Sequence, residues 1–90
     1  MSMVWIKELH ENDNVFWPLL VVNATKGVTD AGKRYMNLTF QDRTGTIEAK
    51  KWDCSEEDME LLVVGNIVFI EGVVNLYKNQ PQLKIVEVSK

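Results

Sequence analysis

Residues 34–53 constrain the fold more tightly than any other stretch of this chain, because they specify a β-hairpin and its register together. Met36, Leu38 and Phe40 alternate with Tyr35, Asn37, Thr39 and Gln41 between Arg34 and Gln41, the period of a half-buried strand. Asp42-Arg43-Thr44-Gly45 follows, with aspartate at the first position of a tight turn and glycine at the last, where each is favoured. Thr46 to Asp53 returns with Ile47 and Ala49 on one face and Glu48, Lys50 and Trp52 on the other. Closure about Arg43 and Thr44 sets Tyr35 across from Trp52 and Asn37 across from Lys50. A slip of one residue would turn every one of these side chains to the wrong face.

The remaining chain supplies partners for that hairpin. Val15 to Ala24 is apolar and β-branched and reads as a first strand, with Pro18 suited to an edge or entry position. Thr25 to Lys33 carries two glycines and mixed charge and reads as a loop or a flexible hairpin end. After the hairpin, Ser55 caps a short helix whose first turn is acidic and which buries Met59, Leu61 and Leu62 before Gly65. Asn66 to Tyr77 forms a long strand with Val68, Ile70 and Val74 inward, and Gly72 marks a bend or bulge. Lys78-Asn79-Gln80 is a hairpin tip, and Pro81 to Val88 is the last strand. The expected fold is an all-β, five-stranded Greek-key OB-fold barrel with one short helix between strands 3 and 4. An SH3-like small barrel is the alternative; the helix position and the long fourth strand favour the OB order. One domain spans residues 1–90, with its core at about 15–88 and an N-terminal extension at 1–14.

The inventory of reactive groups narrows the function. A single cysteine, Cys54, cannot form an internal disulfide or a zinc site, and reads as a small packing residue. The single histidine, His10, lies in the polar run HENDN. Neither a metal-dependent hydrolase nor a serine-type triad can be assembled from such a set, so no catalytic residue, metal ligand or cofactor is expected in this chain. The longest apolar run, Trp17 to Val22, includes a proline and is far below the ~20 residues that span a bilayer. No signal-peptide pattern opens the chain, so the expected location is the cytoplasm, with no membrane partner.

A net charge of −3 argues at first against a phosphate-bearing partner. The distribution matters more. Four acids, Glu56, Glu57, Asp58 and Glu60, fall in the helical segment, whereas Lys26, Lys33, Arg34, Arg43, Lys50 and Lys51 outnumber Asp30, Asp42 and Glu48 between Lys26 and Trp52. Single-strand binders need exposed rings for base stacking and cations for phosphate. The pattern supplies Tyr35 and Trp52 on the outward face of strands 2 and 3, with Tyr77 beside the 4–5 loop. Lys33, Arg34, Lys50, Lys78 and Lys84 are the candidate phosphate contacts, and Asn37, Asn79, Gln80 and Gln82 the candidate base-edge contacts. The same rings could instead serve only as a cross-strand packing pair, and the same cations as solvated surface charge. Trp5 and Trp17, in apolar N-terminal surroundings, read as core or rim packing.

Several strings carry a family resemblance: Thr25-Lys26-Gly27, Gly32-Lys33 with Tyr35 and Leu38, Gln41-Asp42 with Thr44-Gly45, Ile47-Glu48-Ala49-Lys50, Trp52-Asp53, then Gly72, Tyr77 and Gln82-Leu83-Lys84. Together they resemble the N-terminal OB domain of the YhaM-type 3′-to-5′ exoribonucleases, most specifically in the middle third. The resemblance implies a nucleic-acid-binding barrel that precedes an HD phosphohydrolase domain using divalent metal. Trp52 is also placed like a base-stacking aromatic in the single-strand-binding barrels of replication protein A. The His-Asp ligand set of the HD domain is absent here, and Lys51 stands where an apolar residue is expected. The implied role is the substrate-holding module of an RNA-trimming enzyme, with single-stranded RNA or DNA as ligand and a C-terminal HD catalytic domain as neighbour.

A second reading is a protein-interaction barrel whose same face docks the catalytic domain or a sister subunit in a homo-oligomer. The sequence pI of about 5.0 and the apolar candidates Phe69 and Val73 favour it.

Overall fold

A computed structural model describes residues 5–89. Five strands, β1 (Asn14–Val28), β2 (Arg34–Asp42), β3 (Gly45–Trp52), β4 (Ile67–Tyr77) and β5 (Gln80–Ser89), close into a barrel in the order β1-β2-β3-β5-β4, and helix α1 (Glu56–Leu61) joins β3 to β4. This is the expected OB architecture. The β2–β3 hairpin has the expected register, with Tyr35 opposite Trp52 and Asn37 opposite Lys50. Asp42 builds its turn: Oδ1 accepts from the Thr44 and Gly45 N–H groups and from the Thr44 hydroxyl.

Three boundaries differ from the sequence reading. The first strand does not end at Ala24 but runs to Val28, so of the segment expected as a loop or flexible hairpin end, residues 25–28 are strand paired with β2 and only the remainder turns the hairpin. A register shift between Val21 and Asn23 reverses the inward parity of β1, which changes from Val15, Trp17, Leu19 and Val21 to Ala24. Asn23 and Thr25 consequently share the outward face with Thr39 and Asn37, their partners on β2. The β4–β5 hairpin turns on Lys78 and Asn79 alone, both left-handed (φ 52° and 64°), and Gln80 already pairs with Tyr77. Two positive φ angles define the turn that best matches strand twist. The helix is also shorter than expected, ending at Leu61 rather than at Gly65.

The core begins before Val15. Ile6 and Leu9 are buried with the barrel residues, and the Ile6 N–H donates to Asp42 Oδ2 at 2.7 Å. The expected N-terminal extension is therefore, from residue 5 onward, attached to the β2–β3 turn; residues 1–4 lie outside the described residues. Pro18 sits where β1 pairs with β4 alone, since β2 joins only from Leu20, so its missing N–H interrupts no second ladder. At Gly72 a register shift bends β4 as expected. A Cβ there would press on the Lys84 carbonyl of β5, so only glycine lets the two backbones approach so closely.

Lys51 resolves its own anomaly. It has the inward parity of Ile47 and Ala49 and is only 8% exposed, but its Nζ lies 3.1 Å from Asp58 Oδ2 on α1. Asp58 also closes a capping box with Ser55, accepting from the Ser55 N–H while its own N–H donates to Ser55 Oγ. Burial pushes the Asp58 carboxyl up, but the Ser55 and Lys51 hydrogen bonds and the Lys51 charge outweigh it and hold the group below the usual carboxylate range. Cys54 is buried, and that burial pushes its thiol up, so it is a packing residue rather than a reactive one.

Candidate nucleic-acid interface

The outward faces of β2, β3 and β5, with the second half of β1, form one continuous surface. Its centre is the Tyr35–Trp52 cross-strand pair, whose ring centroids lie 5.4 Å apart at an interplanar angle of 45°. Trp52 is 46% exposed, far more than a packing tryptophan needs to be. Lys50, two residues before Trp52 on the same face, reaches over both rings, with Nζ 4.4 Å from the Trp52 centroid and 4.9 Å from that of Tyr35. Both distances lie within cation–π range. The arrangement places a cation on a two-ring platform.

Gly27 explains how the platform is held. It pairs with Tyr35 across β1–β2, and a Cβ at Gly27 would lie 2.3 Å from Tyr35 Cζ and 2.5 Å from its hydroxyl oxygen, well inside van der Waals contact. The ring therefore lies across the β1 backbone, which only the missing side chain permits. Sequence reasoning assigned Gly27 to a loop or flexible hairpin end and missed this function.

The remaining candidates divide by position. Gln82 and Lys84 on β5 lie in register with Glu48 and Lys50 on β3, and the buried flanking residues Leu83 and Ile85 direct Lys84 outward. Lys50 and Lys84 thus occupy neighbouring outward positions on adjacent strands, and among the described residues neither forms an ion pair. Tyr77, 56% exposed, stands at the β4–β5 hairpin with Lys78 Nζ 5.4 Å from its ring centroid. Lys33 lies in the β1–β2 turn, where Asp53 Oδ1 at 3.5 Å offsets its charge.

Arg34 does not join the face. It shares the parity of Met36, and its Nη1 lies 3.9 Å from Met59 Sδ over α1. Strand alternation alone carries that information. Phe69 and Val73 are half-buried on β4, across the barrel from Tyr35 and Trp52, so they do not belong to the same face.

Below the aromatic platform a groove of about 300 Å³ is lined by Asn23, Thr25, Asn37, Thr39, Glu48, Tyr77 and Gln82 over Leu38 and Ala49. Asn23, Thr25, Thr39 and Glu48 were not among the expected site residues. The parity change in β1 brings the first two in, and the outward parity of Thr39 and Glu48 was legible in the hairpin. No group of metal-ligating side chains occurs among the described residues, and no helix among them is long and apolar enough to cross a membrane.

A protein-family model described as an OB-fold nucleic acid binding domain matches residues 21–90. The chain belongs to this OB-fold nucleic-acid-binding family. Among sequence relatives of this OB domain is the 3′-5′ exoribonuclease YhaM of Geobacillus sp. (strain WCH70), 42% identical over 78 residues, which are 87% of this chain and 24% of that protein. The 3′-5′ exoribonuclease YhaM of Halalkalibacterium halodurans is 47% identical over 66 residues, covering 73% of this chain and 21% of the relative. That of Bacillus subtilis (strain 168) is 38% identical over 78 residues, covering 86% of this chain and 25% of the relative. This OB domain therefore spans about a quarter of the length of the relatives it matches.

Among solved structures, a domain of replication protein A from Methanococcus maripaludis superposes with a TM-score of 0.80 at 21% identity, covering 98% of this chain and 93% of that one. The SSB domain of a Synechococcus protein gives 0.70 at 15% identity, covering 92% and 99%. At these identities the likeness is one of fold.

Proposed function

We propose that this OB domain holds single-stranded nucleic acid across the β1-β2-β3-β5 face, as the substrate-holding module of a 3′-to-5′ exoribonuclease whose ligand is RNA. The observation that carries the reading is the Tyr35–Lys50–Trp52 cluster: two outward rings with a cation over both, on the strands OB-folds use for oligonucleotides. Bases stack on the rings, while Lys50 and its neighbour Lys84 meet phosphates. Hydrolysis belongs to a separate catalytic domain with divalent metal, an HD domain by family resemblance, and the chain by itself turns over no RNA. The cytoplasm is the compartment this role requires.

Tryptophan fluorescence during titration with a short single-stranded RNA tests the assignment. Saturable quenching that is lost in Trp52→Ala supports it, with a cost of about 1–3 kcal/mol for one stacked base. Equal affinity of Trp52→Ala and wild type would sink it. RNA degradation by the purified chain would overturn the division of labour.

A second reading rests on the other side of the barrel. Phe16, 47% exposed, meets the half-buried Phe69 edge-on at 4.8 Å between centroids, an aromatic pair open to solvent on one side, of the kind found at protein contacts. It fits docking of the catalytic domain or of a sister subunit in a homo-oligomer, and leaves the opposite face free for nucleic acid. Sedimentation across a concentration range tests self-association; a strictly monomeric profile argues against it.

A further inference from the structure

Glu48 is out of place on a surface meant for phosphates. It projects outward from the middle of β3, exposed, into the groove beside the aromatic platform. Any backbone phosphate nearby would be repelled by its carboxylate. It is also held in position: the Thr39 hydroxyl, directly across β2–β3, donates to Glu48 Oε2. That leaves Oε1 and the remaining lone pairs free to accept. On its other side Glu48 is in register with Gln82 on β5. The exposed ring of Tyr77 lines the same groove.

A carboxylate can only accept hydrogen bonds. Facing an unstacked base, it favours an edge that presents donors and disfavours one that presents carbonyl acceptors. Guanine is the only standard base whose Watson–Crick edge places two donors side by side, N1–H and N2–H₂, and a carboxylate accepts such a pair bidentately. Adenine and cytosine each offer one amino donor beside a ring acceptor, and uracil one imino donor between two carbonyls. From this geometry we infer that the Glu48 groove is a base-reading subsite selective for guanine, with Glu48 accepting from the guanine edge, Thr39 fixing the carboxylate and Tyr77 providing the stacking ring. The subsite rests on the single-strand-binding reading and adds base selectivity to a stacking platform that has none.

The test is binding of this chain to short single-stranded uridine tracts, followed by anisotropy. The tracts are unsubstituted or carry one central guanine, inosine or adenine. A guanine should tighten binding about five- to tenfold over the all-uridine tract, toward the lower end of what a bidentate base contact contributes. Inosine, which lacks the N2 amino group, should fall between guanine and uridine, and adenine should give no gain. Glu48→Gln should abolish the guanine advantage while leaving uridine binding unchanged or slightly tighter, because a negative charge leaves the face. Glu48 is exposed and the replacement isosteric, so the fold should survive, as circular dichroism would verify. If the Glu48–Thr39 pair only stabilises the sheet, the ratio between guanine and uridine affinities will not move. Binding of all tracts without preference, or a preference that survives Glu48→Gln, overturns the subsite alone. Failure of every tract to bind overturns the single-strand-binding reading, and the subsite with it.

Discussion

Gly27 lies beneath the phenol end of Tyr35, so close that a single added carbon would come within 2.3 Å of Cζ and 2.5 Å of the hydroxyl oxygen. One strand thus has a bare backbone where its neighbour lays an aromatic flat, and the orientation of the Tyr35–Trp52 pair depends on it. Gly27→Ala should push the ring off β1 and weaken single-strand binding severalfold. The stability cost should be about 1 kcal/mol, because Tyr35 is half-exposed and can swing outward. Paired urea melts and oligonucleotide titrations separate these two effects; unchanged affinity would show that the orientation of Tyr35 is irrelevant to binding.

The Lys51–Asp58 pair joins the end of β3 to α1 through groups that are mostly withdrawn from water, at 11% and 17% side-chain exposure. Asp58→Ala strands the Lys51 ammonium and removes half of the capping box, and should cost about 3 kcal/mol. Lys51→Met should cost much less, since a linear apolar side chain fills the same space. The double variant should be clearly more stable than the sum of the two single losses. Chemical denaturation of all four proteins measures this.

Acid should destabilise the fold through two carboxylates. Burial pushes Asp42 up, but bonds from the Thr44 hydroxyl and from the N–H groups of Ile6, Thr44 and Gly45 outweigh it and leave the group below its ordinary value of 3.8; Asp58 is lowered as well. A lowered native pKa means that the unfolded chain binds protons more readily. Stability is therefore complete above the ordinary carboxylate range and is lost as pH falls through and below it. Melting temperatures between neutral pH and pH about 2 should decline most steeply below about pH 4, and Asp42→Asn should flatten part of that decline. An acid limb unchanged by Asp42→Asn would contradict its role in the turn.

Salt should weaken binding only modestly. Lys50, Lys84 and Lys78 are the cations on the face, whereas Asp53 offsets Lys33 and Arg34 lies over α1. Two to three phosphate contacts correspond to a log–log slope of about −2 or shallower for a single strand. A slope several times steeper, from titrations at graded salt, would require cations outside this surface.

How much of this was legible depended on whether a local signal had a competitor. The β2–β3 register was legible because its turn is symmetric and both arms alternate, Lys51 excepted, and Tyr35, Asn37, Lys50 and Trp52 follow from it. The outward half of β1 was hidden. Gly27 and the mixed charges around it look like a loop, and the bulge between Val21 and Asn23 breaks the period that would have announced a strand. Its function is visible only once Tyr35 is seen to need the space above Gly27. Arg34 was misplaced because proximity in sequence to Tyr35 outweighed its parity with Met36. Lys51 was recognised as anomalous, but its partner lies on another element, where no strand pattern could identify it. Ile6 and Leu9 form too short an apolar pair to reveal by periodicity that they enter the core.

Single-stranded nucleic acid is expected on the face that carries Tyr35, Lys50 and Trp52. The most direct measurement is a ¹H–¹⁵N correlation spectrum of the labelled chain titrated with a short single-stranded RNA. The expected result is that shifts concentrate on the Trp52 indole N–H and on the amides of residues 23–27, 35–39, 48–52 and 82–84, while those around Phe16 and Phe69 stay in place. Shifts concentrated around Phe16 and Phe69, with the Trp52 indole unmoved, would contradict it.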